Sequence, residues 1–248
     1  MKKKLLVVAL AAILVIVAIA GTSLAYLQDT DAEDNVFTVG DVKIDLYENF
    51  DESLAHLVPS VGSAQAGTLK NGIKKEVFIT NIGSEDAFVR VHIAIPAALD
   101  NGNPDFDASR NILHFNYDPE NIGADKWDWS KTTGDVYVGD WNFYPTTINK
   151  IEYNVYVVTY EKALAPNEAT VSAIKQVYME STTTNEDIAN LKETLGEEWH
   201  IYVAAEGVQA EGFTDAYQAL NTAFGVPGDY DVDWTAAKAG VDTVKGNG

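Results

Sequence analysis

The chain has 248 residues, no cysteine, and 37 acidic against 17 basic residues, which gives a net charge of −20. Such an acidic surface repels nucleic acid and anionic lipid head groups, so nucleic acid is excluded as a partner. Without cysteine the chain has no disulfides and no thiol nucleophile, and its stability has to come from its own core.

The first 25 residues have the three parts of a secretory signal peptide. Residues 2–4 are lysines, residues 5–20 form an unbroken apolar run, and Ser23 and Ala25 are the small residues of a cleavage site. We therefore expect cleavage between Ala25 and Tyr26 and secretion of the remainder, to the extracellular matrix or the cell surface. The alternative is a retained signal anchor, because the apolar run is long for a signal peptide and short for a membrane span.

The clearest strand signal follows at residues 41–47. Val42, Ile44 and Leu46 share one face, and mostly charged residues occupy the other. This period of two is typical of a half-buried β-strand.

The next two predicted strands, residues 75–80 and 87–95, look like antiparallel neighbours. The first stops at a turn that runs from Asn81 to Gly83. Pro96 ends the second, because proline has no N–H for the ladder. Further strands are predicted over residues 112–117, 136–144, 151–160, 169–179 and 199–209, with a turn at residues 164–167.

Two short helices interrupt the strands. Residues 185–195 have apolar side chains at helical spacing and stop at Gly196, and Thr214 is the predicted N-cap of a second helix that ends at Phe224. About eight strands without βαβ alternation predict a mainly β fold, an antiparallel jelly-roll-like sandwich. Residues 26–248 are expected to form one domain, with a weakly ordered tail over residues 229–248.

No catalytic motif is present in this sequence. The four histidines, His56, His92, His114 and His200, have no metal-binding spacing, and no serine lies in a nucleophile elbow. A hydrogen-bonded structural histidine is the interpretation we adopt for His92 and His200. We therefore predict no catalytic residue.

Calcium is the one cofactor that the residues suggest. Asp229, Asp231 and Asp233 alternate near the C-terminus, and a second acidic cluster lies at residues 29–34. Carboxylate oxygens are the ligands that Ca²⁺ prefers, but neither cluster has the spacing of an EF-hand loop. A solvated acidic surface is the simpler interpretation of both.

Three tryptophans, Trp127, Trp129 and Trp141, lie close together in the sequence. They could form a carbohydrate platform, or they could belong to the core. Because tryptophan contributes a large buried area, the core is the preferred interpretation.

Four segments carry a further signal when they are taken together in chain order. They are LAYLQDTD at residues 24–31, NVFTVGDVKI at 35–44, FITNIGS at 78–84 and VAAEGVQAEGF at 203–213. In composition and order they resemble the TasA/camelysin family of exported proteins.

This resemblance implies a jelly-roll fold, processing by a dedicated signal peptidase, and assembly into fibres of a biofilm matrix. In such fibres the segment freed by cleavage inserts as a strand into the next subunit, which is donor-strand complementation. Residues 26–39 would then be the donor strand, and Leu27, Val36, Phe37 and Val39 its anchors. The partners would be further copies of the chain, head to tail, and other matrix proteins. In the alternative, this segment folds back into its own sheet.

Two other functions stay open at this point. One is a cell-surface adhesin or ligand-binding module that uses the aromatic and acidic loops of residues 98–145. The other is a camelysin-like metallopeptidase, although the sequence has no recognisable metal-binding motif. A structural fibre subunit is the function that we predict.

Overall fold

A computed structural model of the chain describes residues of the unit Gly40–Gly248. The described part is mainly β, with antiparallel strand pairs and two short helices, which confirms the prediction of a mainly β, antiparallel fold with two short helices. The expected signal helix, residues 1–25, and donor strand, residues 26–39, lie outside it. The described residues are 41–50, 57–63, 67–100, 111–129, 131–133, 136–137 and 143–234.

The strands and helices of this part follow one another in a simple order. The strands are β1 (Ile44–Phe50), β2 (Ile73–Asn81), β3 (Ala87–Pro96), β4 (Leu113–Asn116), β5 (Trp127–Asp128), β6 (Lys131–Thr133), β7 (Val136–Tyr137), β8 (Phe143–Ile148), β9 (Ile151–Leu164), β10 (Gln176–Met179) and β11 (Tyr202–Gln209). The helices are α1 (Asn185–Leu195) and α2 (Ala216–Phe224), and a 3₁₀ turn spans Pro119–Asn121.

Two sheets enclose the main core. One has the order β1-β2-β10-β4. The other has the order β11-β3-β9, and both β5 and β8 pair with the remaining edge of β9, β8 with its first half and β5 with its second. Val77 and Ile79 of β2 share a buried cluster with Val91 of β3 and Val158 of β9, so the inner faces of both sheets build one core.

The prediction that β2 and β3 are neighbours is wrong. β2 pairs with β1 and β10, whereas β3 pairs with β11 and β9 in the other sheet. All ten residues of β3 are buried, because one face lies on the core and α2 packs on the other. A strand buried on both faces needs a central place in its sheet, and residues 82–86 therefore cross from one sheet to the other.

The predicted strand over residues 169–179 is regular only at its end, in β10. Before β10, side-chain hydroxyls replace backbone partners. Thr170 accepts a hydrogen bond from the Ile79 N–H (3.0 Å), and Ser172 accepts one from the Val77 N–H (3.1 Å). Serine and threonine hydroxyls compete with ladder carbonyls in this way, which shortens the regular strand.

Both helices occur where the sequence predicts them. At α1, Thr184 and Asp187 form a reciprocal capping box. The N-cap of α2 is Asp215 and not Thr214, since the Asp215 carboxylate accepts from the Gln218 N–H. A carboxylate at this position also interacts favourably with the helix dipole.

Within the group Trp127, Trp129 and Trp141, the two members that the structure describes belong to the core, as the preferred interpretation states. Trp127 is 0% exposed and Trp129 is 7% exposed. The indole N–H of Trp127 donates to the carbonyl of Val171 (2.6 Å), and its ring packs edge-on against Tyr160. Trp141 lies outside the described residues.

Candidate functional site

The strands β1 and β11 each leave one edge unpaired within the described part of the chain. There β1 pairs only with β2, and β11 only with β3. Both edges lie on the same side of the sandwich, because a Cβ atom built on Gly207 of β11 would come within 2.8 Å of Ile44 Cγ2 in β1. We call these two edges the open side. An unpaired edge presents N–H and C=O groups that can pair with another strand.

The other unpaired edges among the described strands are shorter or blocked. β4 has four residues and β5 has two. β8 has six but contains Pro145, which cannot donate to a ladder. β1 and β11 have seven and eight residues and no proline. Length and hydrogen-bonding capacity therefore distinguish the open side.

Apolar side chains at the open side are only partly covered. Ile44, Leu46 and Phe50 of β1 and Ala205 of β11 pack against the core but remain half-buried. In the interior strand β2, by contrast, Val77 is fully buried. A further strand laid along the open side would remove more of this apolar surface from water.

The loop after β2 is hydrogen-bonded to the residues immediately before β1. Ile82 donates a backbone hydrogen bond to the carbonyl of Lys43 (2.8 Å), and Ser84 donates one to the carbonyl of Asp41 (2.9 Å). The Asp41 N–H in turn donates to the hydroxyl of Ser84 (3.0 Å). We call residues 82–84 the clasp, since they fix the chain immediately before β1.

Asn81 and Gly83, both in the family-like segment at residues 78–84, shape the clasp. The Asn81 side chain accepts from the Gly83 N–H (3.0 Å) and donates to the carbonyls of Leu164 (2.8 Å) and Glu85 (2.7 Å). A Cβ atom on residue 83 would lie 2.2 Å from the Asp41 carbonyl oxygen. Glycine is needed there because two backbone segments approach closely.

Gly83→Ala is expected to lower the free energy of unfolding by about 1–3 kcal/mol, the usual cost of forcing carbon into a packed site. Ser84→Ala is the graded comparison, because it removes one hydroxyl from the same contact and should cost about 0.5–1.5 kcal/mol. Denaturant unfolding measures both. A Gly83→Ala variant as stable as the unsubstituted protein would contradict the close approach.

A charged pair lies on the inner face at the open side. Glu48 of β1 and Lys75 of β2 are 3.1 Å apart, from Oε2 to Nζ, and their side chains are 10% and 3% exposed. The ammonium group also lies 4.9 Å from the centre of the Phe50 ring. Glu48 Oε1 is buried, and no residue in the described ranges gives it a hydrogen bond.

A second polar cluster is buried on the outer face of the five-stranded sheet. Nε of Arg90 in β3 lies 2.5 Å from a carboxylate oxygen of Glu206 in β11. Arg90 also donates to the Asn221 side chain (2.9 Å), the Gly225 carbonyl (3.1 Å) and the Tyr230 hydroxyl (2.6 Å). One guanidinium thus ties α2 and the segment after it to the sheet.

His92 completes this cluster as a buried, hydrogen-bonded histidine, in agreement with the expectation for it. Its Nδ1 lies 3.0 Å from the Tyr144 hydroxyl, and its Nε2 lies 3.1 Å from the Glu206 carboxylate. Burial is the main effect on the ring and lowers the pKa of His92. The ring is therefore neutral at neutral pH.

The carboxylate of Glu206 is held ionised by its neighbours. Burial alone would raise the pKa of Glu206, but the contacts from His92, Arg90 and Tyr230 outweigh it and lower this pKa to about 2. Because His92 is neutral, Arg90 is the permanent counter-charge. Burial also raises the pKa values of Tyr144 and Tyr230, so both hydroxyls stay protonated.

Acid is expected to destabilise the domain through this cluster. The contribution of Glu206 is fully present above the unfolded-state pKa of 4.5 and is lost as the pH falls towards 2. Below pH 6.5 the unfolded chain also binds a proton at His92 more readily than the folded one. Unfolding free energies measured between pH 7 and pH 2 should fall less steeply in Glu206→Gln. Glu193→Gln, at an exposed position, is the control, and an identical slope in both variants would contradict the assignment.

Most predicted functional residues fall outside the described ranges. These are the cleavage and anchor residues Ala25, Tyr26, Leu27, Val36, Phe37 and Val39. Among the residues that the structure does describe, no group of three or more His, Asp or Glu side chains is arranged to hold a metal ion, and this includes Asp229, Asp231 and Asp233.

Part of the segment predicted to be a weakly ordered tail makes contacts with the sheet. Tyr230 donates to the Glu206 carboxylate, and Trp234 packs on the buried cluster that contains Tyr153. Residues 235–248 lie outside the described ranges. The sequence did not predict the contact of Tyr230 with the polar cluster around Glu206, because a tyrosine between aspartates gives no periodic pattern.

The other two histidines that the structure describes, His114 and His200, do not share a site. His114 pairs with Glu180 (2.8 Å) and stacks on Tyr178. The side chain of His200 is 41% exposed, so the expectation of a structural strand histidine is wrong for it. The reason is that β11 begins two residues later. His56 lies outside the described ranges.

No helix in the described ranges is both long and apolar enough to cross a membrane.

Two comparisons with known proteins bear on the family. No protein-family model matches the chain, and no curated protein matches it either. The likeness to the TasA/camelysin family therefore rests on the four sequence segments themselves.

Proposed function

We propose that this chain is a secreted subunit of an extracellular matrix or surface fibre. After cleavage behind Ala25, residues 26–39 of one subunit would pair with the open side of the next. The observation that carries the proposal is the meeting, on one side of the sandwich, of two long, proline-free edges that no other described strand pairs with. An extended peptide can add a strand at such an edge, with main-chain hydrogen bonds giving affinity.

The clasp favours donation of residues 26–39 to another subunit over their pairing with β1 of the same subunit. A strand formed by residues 26–39 could lie beside its own β1 only after a reversal within residues 40–43. The N–H and C=O groups of Asp41 and the C=O group of Lys43 are already bonded to the clasp. Donation to another subunit needs no such reversal, and head-to-tail contacts of this kind propagate into a filament.

We further propose that the sandwich is a jelly roll. The orders β2-β10-β4 and β3-β9-β5 support this, because each sheet places a late strand between two earlier ones. Two interlocked Greek keys produce this alternation. On this view β1 and β11 are additional strands at the open side.

The first experiment compares two purified proteins, one beginning at Tyr26 and one at Gly40, by electron microscopy and sedimentation. Fibres are expected from the first and monomers from the second, with calcium and with a chelator. A third protein keeps the full segment but carries Val36→Ser, Phe37→Ser and Val39→Ser. It should stay monomeric if side-chain anchors, and not length alone, drive assembly.

Monomers from the protein beginning at Tyr26 under every condition would overturn the fibre proposal. The adhesin alternative would then be the one to pursue, by screening glycans. The tryptophan group at residues 127–141 does not favour it, since its two described members, Trp127 and Trp129, are buried in the core and offer no exposed platform.

A further inference from the structure

The Glu48–Lys75 pair is energetically unfavourable on the core face of an edge strand. Glu48 shares the inner face of β1 with Leu46 and Phe50, and Lys75 shares that of β2 with Val77. The Glu48 side chain is nine-tenths buried. Its Oε2 pairs with Lys75, while Oε1 has no hydrogen-bond partner among the described residues. A buried oxygen without a donor destabilises the isolated subunit.

The position of Glu48 indicates where a donor would come from. β1 is the edge strand of its sheet in the described part of the chain. A strand added beside β1 would place an inward side chain directly opposite Glu48, with the two Cβ atoms about 4.5–5.5 Å apart. An incoming strand at the open side can therefore reach this carboxylate.

We infer that Glu48 Oε1 accepts a hydrogen bond from the donor segment of a second copy of this chain, and that the buried pair thereby sets the register of the inserted strand. This inference rests on the proposed function. The donor segment has no lysine or arginine, so the donor is a hydroxyl group, an amide group or the α-amino group that cleavage frees at Tyr26. The segment offers Tyr26, Gln28, Thr30, Asn35 and Thr38.

A buried polar contact suits the task of setting register. A slip of one residue turns every side chain of a strand to the opposite face. In the slipped arrangement Glu48 Oε1 would lose the donor opposite it. A single buried polar group fixes register in coiled coils by the same penalty.

The test uses proteins that begin at Tyr26 and differ only at the pair. One carries Glu48→Leu with Lys75→Met, and a second carries Glu48→Gln with Lys75→Met, which keeps an amide oxygen as acceptor. The control is Lys74→Met with Glu76→Leu, a pair on the outward face of β2 whose side chains are 60% and 32% exposed. Denaturant midpoints establish folding, and sedimentation gives the critical concentration for fibre formation.

We expect the Glu48→Leu pair variant to fold with an unchanged or higher midpoint, because apolar residues replace buried ion pairs well. Its critical concentration should rise about tenfold, which corresponds to about 1.4 kcal/mol. The Glu48→Gln pair variant and the control should stay within about threefold of the unsubstituted protein. If the leucine variant does not fold, Glu48→Met with Lys75→Met takes its place.

Equal critical concentrations for the leucine and glutamine variants would overturn the inference and leave the fibre proposal standing. An absence of fibres from the unsubstituted protein would overturn the fibre proposal and the inference with it. The two failures are therefore distinguishable in one experiment.

Discussion

Arg90→Ala is expected to lower the free energy of unfolding by about 3–5 kcal/mol, because it leaves the carboxylate of Glu206 buried without its counter-charge. The Arg90 side chain is 2% exposed, and its guanidinium bonds to β11, α2 and Tyr230. The same substitution should loosen the segment after α2. Denaturant unfolding at pH 7 measures the first effect, and amide exchange of residues 225–234 measures the second.

Two further variants distinguish the effect of losing the counter-charge from the effect of losing the side chain. Lys162→Ala breaks the exposed pair with Glu168 and should cost about 0–1 kcal/mol. Arg90→Met with Glu206→Met removes both charges and should cost less than Arg90→Ala alone. A loss below about 1 kcal/mol for Arg90→Ala would show that the cluster contributes little to stability.

Trp127→Ala is expected to cost about 3–5 kcal/mol, the range for removing a large buried aromatic side chain. Trp127 is fully buried in β5, and its indole joins Val171 by a hydrogen bond and Tyr160 by an edge-on ring contact. The substitution leaves a cavity between β5 and β9 and an unpaired carbonyl.

Val61→Ala is the control for Trp127→Ala, because Val61 is 59% exposed and its truncation should change stability by no more than about 0.5 kcal/mol. Unfolding midpoints of both variants can be measured by tryptophan fluorescence, since four of the five tryptophans remain. Similar midpoints for the two variants would contradict the place of Trp127 in the core.

Strand positions could be predicted from the sequence far better than strand partners. The alternation of Val89, Val91 and Ile93 predicts β3 correctly. It does not show that the opposite face, with Arg90 and His92, is buried too. A connection of five residues suits a hairpin as well as a crossing between sheets, and only the burial of both faces decides between them.

Only part of the candidate site could be predicted from the sequence. The family-like segment at residues 78–84 singles out Asn81, Gly83 and Ser84, but not their contact with Asp41. Charged residues are ordinarily assigned to solvated faces, so the inward Glu48–Lys75 pair gave no signal. The open side itself depends on pairing between distant strands, which periodicity does not report.

The central claim is that the open side accepts residues 26–39 as a strand. The most direct measurement is hydrogen exchange of the protein beginning at Gly40, with and without a synthetic peptide of residues 26–39 and with a scrambled peptide as control. We predict saturable binding of the native peptide and slower exchange in β1 or β11, with β4 and β8 unchanged. Equal binding of both peptides, or protection away from β1 and β11, would contradict strand donation to the open side.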